Sequence, residues 1–346
     1  MKNFNSLSIR FDKNKLEVID QELLPHEEVW LEIETPQDMI AAIKSLKVRG
    51  APLIGVAAAL SLGKFFLKNT DKKEWLKAAE EVRASRPTAV NLMWAVDRMK
   101  NAVNKFEGND ATAIWNEAVA IFNEDVELCN IMAENGASLF NDGDQILTHC
   151  NTGGLATAGV GTALGVIRAT HLQGKNIHVY VDETRPLLQG GRLTTYELEK
   201  LKIPYTLICD NMAAMLMAQK KINKVIVGSD RIARNGDFAN KIGTYSAAIA
   251  ANYHGIEFYV AAPVTTVDLE CTTGLQIPIE ERKDAEVRGF GDLQWAPKTA
   301  KVYNPAFDVT PAELVSAWIL NTGVYRKDDF KNDKFVNEVQ QKLRGE

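Results

Sequence analysis

Beyond residue 142 the chain alternates short β-rich runs with helical stretches, and this rhythm constrains the fold more than any other feature. The runs lie at 145–150, 177–182, 205–209, 224–228 and 256–261. The stretches between them can hold crossover helices, so the pattern predicts a parallel, doubly wound sheet covered on both faces. Ligands of such sheets bind beyond the carboxyl ends of the strands. The residues just past those ends are Cys150 and Asn151; Asp182, Glu183, Thr184 and Arg185; Asp210 and Asn211; and Ser229, Asp230 and Arg231. Aspartates in such places also cap the following helix. Capping is the reading for Asp210, and chemistry the reading for Asp230.

The earlier part of the chain has a different texture. Alternating runs at 6–11 and 16–19 flank the charged turn Asp12, Lys13 and Asn14, which predicts a small antiparallel hairpin, with a third strand at 28–33. Helical periodicity follows. Thr35 before Pro36 is a helix opening, and further helices begin near Pro52, Lys72, Pro87 and Ala111. With 346 residues the chain is long for one core. The expectation is an α/β protein of two domains: residues 1–142, mainly helical with a small antiparallel sheet, and 143–346, Rossmann-like with a parallel sheet.

A net charge of −5 and a pI near 5.7 argue against a nucleic-acid surface. The four cysteines, Cys129, Cys150, Cys209 and Cys271, are far apart with no CxxC pair, which suits a reducing compartment. The longest apolar run, 51–62, is broken at Gly55 and reads as a buried helix, not a membrane span. Residues 1–12 lack the layout of a secretion signal. A cytoplasmic protein is expected.

Four constellations carry chemistry. The first is THCNTGG at 148–154, read as a strand, a glycine-rich turn and a helix over 155–171. Such a helix start would cradle an anion, and its dipole would favour the thiolate of Cys150. Cys129, Cys209 and Cys271 are read as packing residues. No GxGxxG turn is present, which argues against a dinucleotide cofactor. His149 beside Cys150 points to the opposite strand face and has no partner at ligand spacing, so no metal is expected. The second is the run from Val225 to Lys241, in which a buried strand delivers Asp230 into a loop with Arg231, Asn240 and Lys241; a solvated charged loop is the plain alternative. The third pairs Arg49, before Pro52, with Arg86, before Pro87: two Arg-then-Pro helix starts that suit phosphate. The fourth is DETRPLLQG at 182–190, where Gln189 can bond a sugar hydroxyl and the charged residues can form a local ion-pair network.

These residues carry a family resemblance. The runs KVRGAPLIGVAAA at 47–59, SRPTAVNL at 85–92, THCNTG at 148–153, DETRPLLQG at 182–190 and NKIGTY at 240–245 resemble the methylthioribose-1-phosphate isomerase family. The match extends from LPHEE at 24–28 to NPAFDVTP at 304–311. That family shares its fold with ribose-1,5-bisphosphate isomerases and with regulatory subunits of translation initiation factor 2B. The resemblance implies catalytic Cys150 and Asp230, and substrate binding by Arg49, Gly50, Ala51, Arg86, Gln189, Asn240 and Lys241. It also implies a homodimer and an aldose–ketose isomerisation in methionine salvage; with no metal-ligand spacing and no GxGxxG turn, no cofactor is expected. Gly154, Val160, Gly191, Ser229 and Arg234 depart from the family pattern, which leaves 5-deoxyribose 1-phosphate and ribose 1,5-bisphosphate as near alternatives. A non-catalytic subunit sensing a sugar phosphate or nucleotide is the rival of another class.

Overall fold

The structure is a computed structural model that describes residues 4–86, 89–331 and 334–344. The chain divides into two compact units, residues 1–131 with 152–161, and residues 132–151 with 162–346.

The first unit opens with an antiparallel sheet, β1 (Phe4–Asn5), β2 (Ile9–Phe11), β3 (Leu16–Ile19) and β4 (Trp30–Glu32), paired in chain order. The expected third strand is thus one of four. Helices α1 (Pro36–Lys44), α2 (Ala51–Lys68), α3 (Lys72–Arg83), α4 (Val90–Lys105) and α5 (Thr112–Ala137) follow, the last turns of α5 from residue 132 counting with the second unit. Helix α1 begins as its sequence requires: Thr35 accepts from the Asp38 N–H, Asp38 accepts from the Thr35 N–H, and Pro36 takes the first helical position. The expected helix opening at Pro87 lies outside the described residues. Helix α2 is long and apolar enough to cross a bilayer, yet 83% of it is buried within the protein. Leu53, Ile54, Leu60 and Phe66 on it are almost inaccessible, each contributing about 1.5–3 kcal/mol by leaving water. It is a core helix.

The second unit is built on a seven-stranded sheet. Its strands are β5 (Gln145–Thr148), β6 (His178–Asp182), β7 (Tyr205–Ile208), β8 (Lys224–Val227), β11 (Glu257–Ala261), β16 (Ala317–Leu320) and β17 (Gly323–Tyr325). They lie in the order β17-β16-β11-β8-β5-β6-β7. Only β17 runs antiparallel to its neighbour. Val179, Val181, Val225, Val227 and Val260 are fully buried, as strands covered on both faces demand. Helices α6 (Ala163–Leu172), α7 (Thr195–Leu201), α8 (Ala213–Ala218) and α9 (Thr244–Tyr253) lie between strands in the chain. The chain builds outward through β5, β6 and β7, then returns to place β8 on the other side of β5. The topological switch point therefore falls between β5 and β8, where such sheets open a crevice.

A second sheet has the order β12-β9-β10-β15, from β9 (Arg231–Ala233), β10 (Phe238–Lys241), β12 (Val267–Asp268) and β15 (Phe307–Thr310). A two-stranded hairpin, β13 (Gly289–Phe290) and β14 (Leu293–Gln294), completes the strands. The supposed loop after Asp230 is thus an antiparallel strand pair, and Asn240 and Lys241 lie on its second strand. Its two strands are too short for their alternation to stand out from a polar loop.

Candidate active site

Cys150 follows β5 by two residues and Asp230 follows β8 by three, and these strands are hydrogen-bonded neighbours across the switch point. Thr148 ties the two together by donating to the Ile226 carbonyl at 2.9 Å. Cys150 is half-buried and left-handed, with φ +67°. The Asp230 N–H donates to the Ala239 carbonyl at 2.9 Å, which draws it against β10 beside Asn240 and Lys241. Both of those side chains are buried. Asn240 donates to Thr244 Oγ1 at 2.9 Å; Lys241 donates to the Ala306 carbonyl at 2.9 Å and lies over the Phe307 ring. An amide and an ammonium are thereby held in fixed geometry on the strand to which the Asp230 main chain is bonded.

The helix expected over 155–171 begins only at Ala163. Gly153 pairs with Gly161 in an isolated bridge, and the segment between them belongs to the first unit. There Ala158 donates to the buried Asp125 at 2.7 Å. Glycines and small residues at 153–161 carry no cap that could separate a helix from an ordered loop. The dipole support for Cys150 is therefore withdrawn.

Behind Cys150 lies a network that chain spacing did not reveal. His149 Nδ1 is 2.9 Å from Asp182 Oδ2, and its Nε2 is 2.9 Å from the Ile242 carbonyl, to which only an N–H can bond. Burial alone would weaken the imidazolium, but the Asp182 hydrogen bond and charge override it, aided by Asp210, and raise His149 to about 9. Burial raises the Asp182 carboxyl against the pull of His149. The other Asp182 oxygen, Oδ1, is buried with no hydrogen-bond partner among the described residues. Asp210 does not cap the helix after it. Its two oxygens accept the N–H groups of Thr184 and Arg185, each at 2.7 Å, and so hold the turn after β6.

His149, Asp182 and Asp210 bring potential metal ligands within 4.8 Å of one another, a cluster assembled from the ends of different strands that linear spacing could not anticipate. Their lone pairs are largely committed: both ring nitrogens of His149 and both oxygens of Asp210 already bond protein atoms. The arrangement suits an internal hydrogen-bond network better than an open ligand set.

Gln189 is buried, and its Oε1 has no partner among the described residues, which leaves an acceptor for a ligand donor. It immediately precedes a π-helical turn, Gly190–Thr194. A Cβ on Gly190 would lie 1.8 Å from the Asp182 carbonyl oxygen, so only glycine lets this turn approach the end of β6. Of the charged residues at 182–185, Asp182 bonds His149, while Arg185 donates to the Pro186 and Val287 carbonyls and lies over the Trp295 ring.

Arg49, Gly50, Ala51 and Arg86 belong to the first unit. Gly50 caps α2 at φ +97°, and a Cβ there would strike Ala156 at 2.6 Å; Ala51 is the first helical residue. Arg49 is buried and Arg86 half-buried. The N-terminal turn of α2, with Pro52 at the second position, is the helix start anticipated for an anion, but its Leu53 N–H already donates to the Ala156 carbonyl at 3.1 Å.

Residues 47–327 match the model of the initiation factor 2 subunit family. A methylthioribose-1-phosphate isomerase of Cronobacter sakazakii is 52% identical over 97% of this chain and 100% of its own length. One from Klebsiella pneumoniae is 54% identical over 94% and 95%. Among solved structures, 5-methylthioribose 1-phosphate isomerase from Pyrococcus horikoshii superposes with a TM-score of 0.89 at 40% identity, covering 98% of this chain and 96% of that one. A chain described as the delta subunit of translation initiation factor eIF-2B from A. fulgidus gives 0.84 at 43% identity, covering 94% and 97%. With this agreement along almost its whole length, the chain belongs to the initiation factor 2 subunit family, on the branch that carries the methylthioribose-1-phosphate isomerases.

Proposed function

We propose that this chain isomerises 5-methylthioribose 1-phosphate to 5-methylthioribulose 1-phosphate, with Asp230 and Cys150 as its catalytic pair. The observation that carries the reading is their placement beyond adjacent parallel strands at the switch point. Phosphate on the anomeric oxygen prevents spontaneous ring opening, so the enzyme must break the bond from C1 to the ring oxygen. Asp230 donates a proton to the departing ring oxygen. Cys150 takes the C2 hydrogen as a proton and returns it to C1. The C2 hydroxyl becomes the ketone, and its proton replaces the one spent on the ring oxygen. Each proton transfer contributes roughly 10²–10⁴-fold.

Arg49, Gly50, Ala51, Arg86, Gln189, Asn240 and Lys241 are assigned to substrate binding. Support for this comes from the buried acceptor of Gln189, the fixed donors of Asn240 and Lys241, and the helix start at Gly50 and Ala51. The chemistry needs no cofactor. Residues 1–142 are read as the amino-terminal domain and 143–346 as the Rossmann-like one, in a cytoplasmic protein. A homodimer is supported by an exposed stripe, Tyr245, Ile249 and Tyr253 on α9, beside exposed Met212 and Met215 at α8.

Cys150→Ser and Asp230→Asn test the pair. Each should lower turnover at least ~10² while substrate still binds, and the double variant should be little worse than the worse single one. A folded Cys150→Ser enzyme within about tenfold of the parent would contradict the role of Cys150. A panel of 5-substituted ribose 1-phosphates separates the methylthio sugar from its near alternatives. Binding without turnover across the whole panel would favour the sensing subunit.

A further inference from the structure

The Cys150 main chain has a conformation that a cysteine seldom adopts. At φ +67° its Cβ crowds the following carbonyl oxygen. Strain of this kind persists only where the surroundings over-determine it. Here they do so through two buried threonine hydroxyls. The Cys150 N–H donates to Thr184 Oγ1 at 2.8 Å, and Thr194 Oγ1 donates to the Cys150 carbonyl at 2.7 Å. Thr184 is fully buried and itself left-handed at φ +64°. Its hydroxyl proton goes to the Asp182 carbonyl at 3.0 Å, which turns a lone pair toward Cys150. Its own N–H is held by Asp210. Thr194 closes the π-helical turn, a form of helix found mostly at functional sites. Its oxygen also accepts from Asn151, whose amide is anchored on the buried Glu197 at 2.8 Å. Both polar groups of the Cys150 main chain are thus held by side chains from two different segments.

We propose that Thr184 and Thr194 are positioning residues that lock the Cys150 main chain in its left-handed form and so aim the thiol at the reacting carbon. This rests on Cys150 being the group that moves the C2 hydrogen. Thr184→Val keeps the shape but removes the acceptor for the Cys150 N–H. It should lower kcat by about 10- to 100-fold, as misplacement of a reacting group does, with KM changed less than about threefold. Thr184→Ser restores the hydroxyl and should recover kcat to within about threefold. Iodoacetamide labelling followed by peptide mass spectrometry should show a changed pH profile at Cys150 and an unchanged one at exposed Cys209. A folded Thr184→Val enzyme with parental kcat and parental Cys150 labelling overturns the proposal. If Thr184→Val does not fold, Thr194→Val and Thr194→Ser are judged by the same measurements. Cys150→Ala run alongside separates the two levels. Full activity there removes the role of Cys150 and the proposal with it, whereas an inactive Cys150→Ala beside a normal Thr184→Val removes the proposal alone.

Discussion

Replacing His149 with leucine should destabilise the second unit by about 3–5 kcal/mol at pH 7, the usual cost of breaking a buried pair from one side. The structure gives an independent route to the same size. His149 is 1% exposed and Asp182 2%, so the substitution strands a carboxylate away from water, with Asp210 and Glu183 adding like charge. Asp182 would then protonate. Holding a carboxyl neutral at pH 7 against its ordinary value of 3.8 costs about 4 kcal/mol. The cost should fall by about 1.4 kcal/mol per pH unit on acidification, to below about 2 kcal/mol at pH 5. The parent should show a complementary slope. Because the folded value of His149 is raised from 6.5 to about 9, its contribution is complete below pH 6.5 and lost as pH rises through about 9. Leucine at both 149 and 182 should recover most of the loss, since no unpaired charge remains. Native-state hydrogen exchange at the amides of β5 and β8 reads this stability within the second unit. A single variant within about 1 kcal/mol of the parent at pH 7, or a loss identical at pH 5 and pH 9, would refute the reasoning.

Removing the C1 phosphate should abolish tight binding. If Arg49 and Arg86 bind the phosphate as proposed, losing their two charge-assisted hydrogen bonds should weaken binding by roughly two to four decades. Calorimetry in which the free sugar binds as tightly as its 1-phosphate would contradict this. Chelation should leave turnover intact, because the donor atoms of His149 and Asp210 are already bonded within the protein. Activity lost to EDTA and restored by a divalent cation would reverse that conclusion.

Local chemistry was readable from the chain. Thr35, Pro36 and Asp38 spell a helix start in four residues, and the structure has that cap. The alternation of apolar runs and helical stretches carried the parallel sheet, because strands buried on both faces must be continuously apolar. It also put Cys150 and Asp230 at strand ends, since those positions are defined by the end of an apolar run. What depended on residues remote in sequence was not readable. Strand β16 is as apolar as the others but follows an irregular stretch with no crossover helix before it, so its rhythm is lost. Strands β9 and β10 are only three and four residues long, too short for their alternation to stand out from a polar loop. The Asp210 carboxylate looked like a helix cap until its partners proved to be backbone amides 25 and 26 residues earlier. His149 looked like an isolated strand residue because its partner Asp182 lies 33 residues away. The same holds for the threonines around Cys150, which are 34 and 44 residues from it. Propensity, capping and burial act over a few residues and leave a trace in the chain. A hydrogen bond between strand ends depends on strand order and register, which long-range packing of the whole sheet sets.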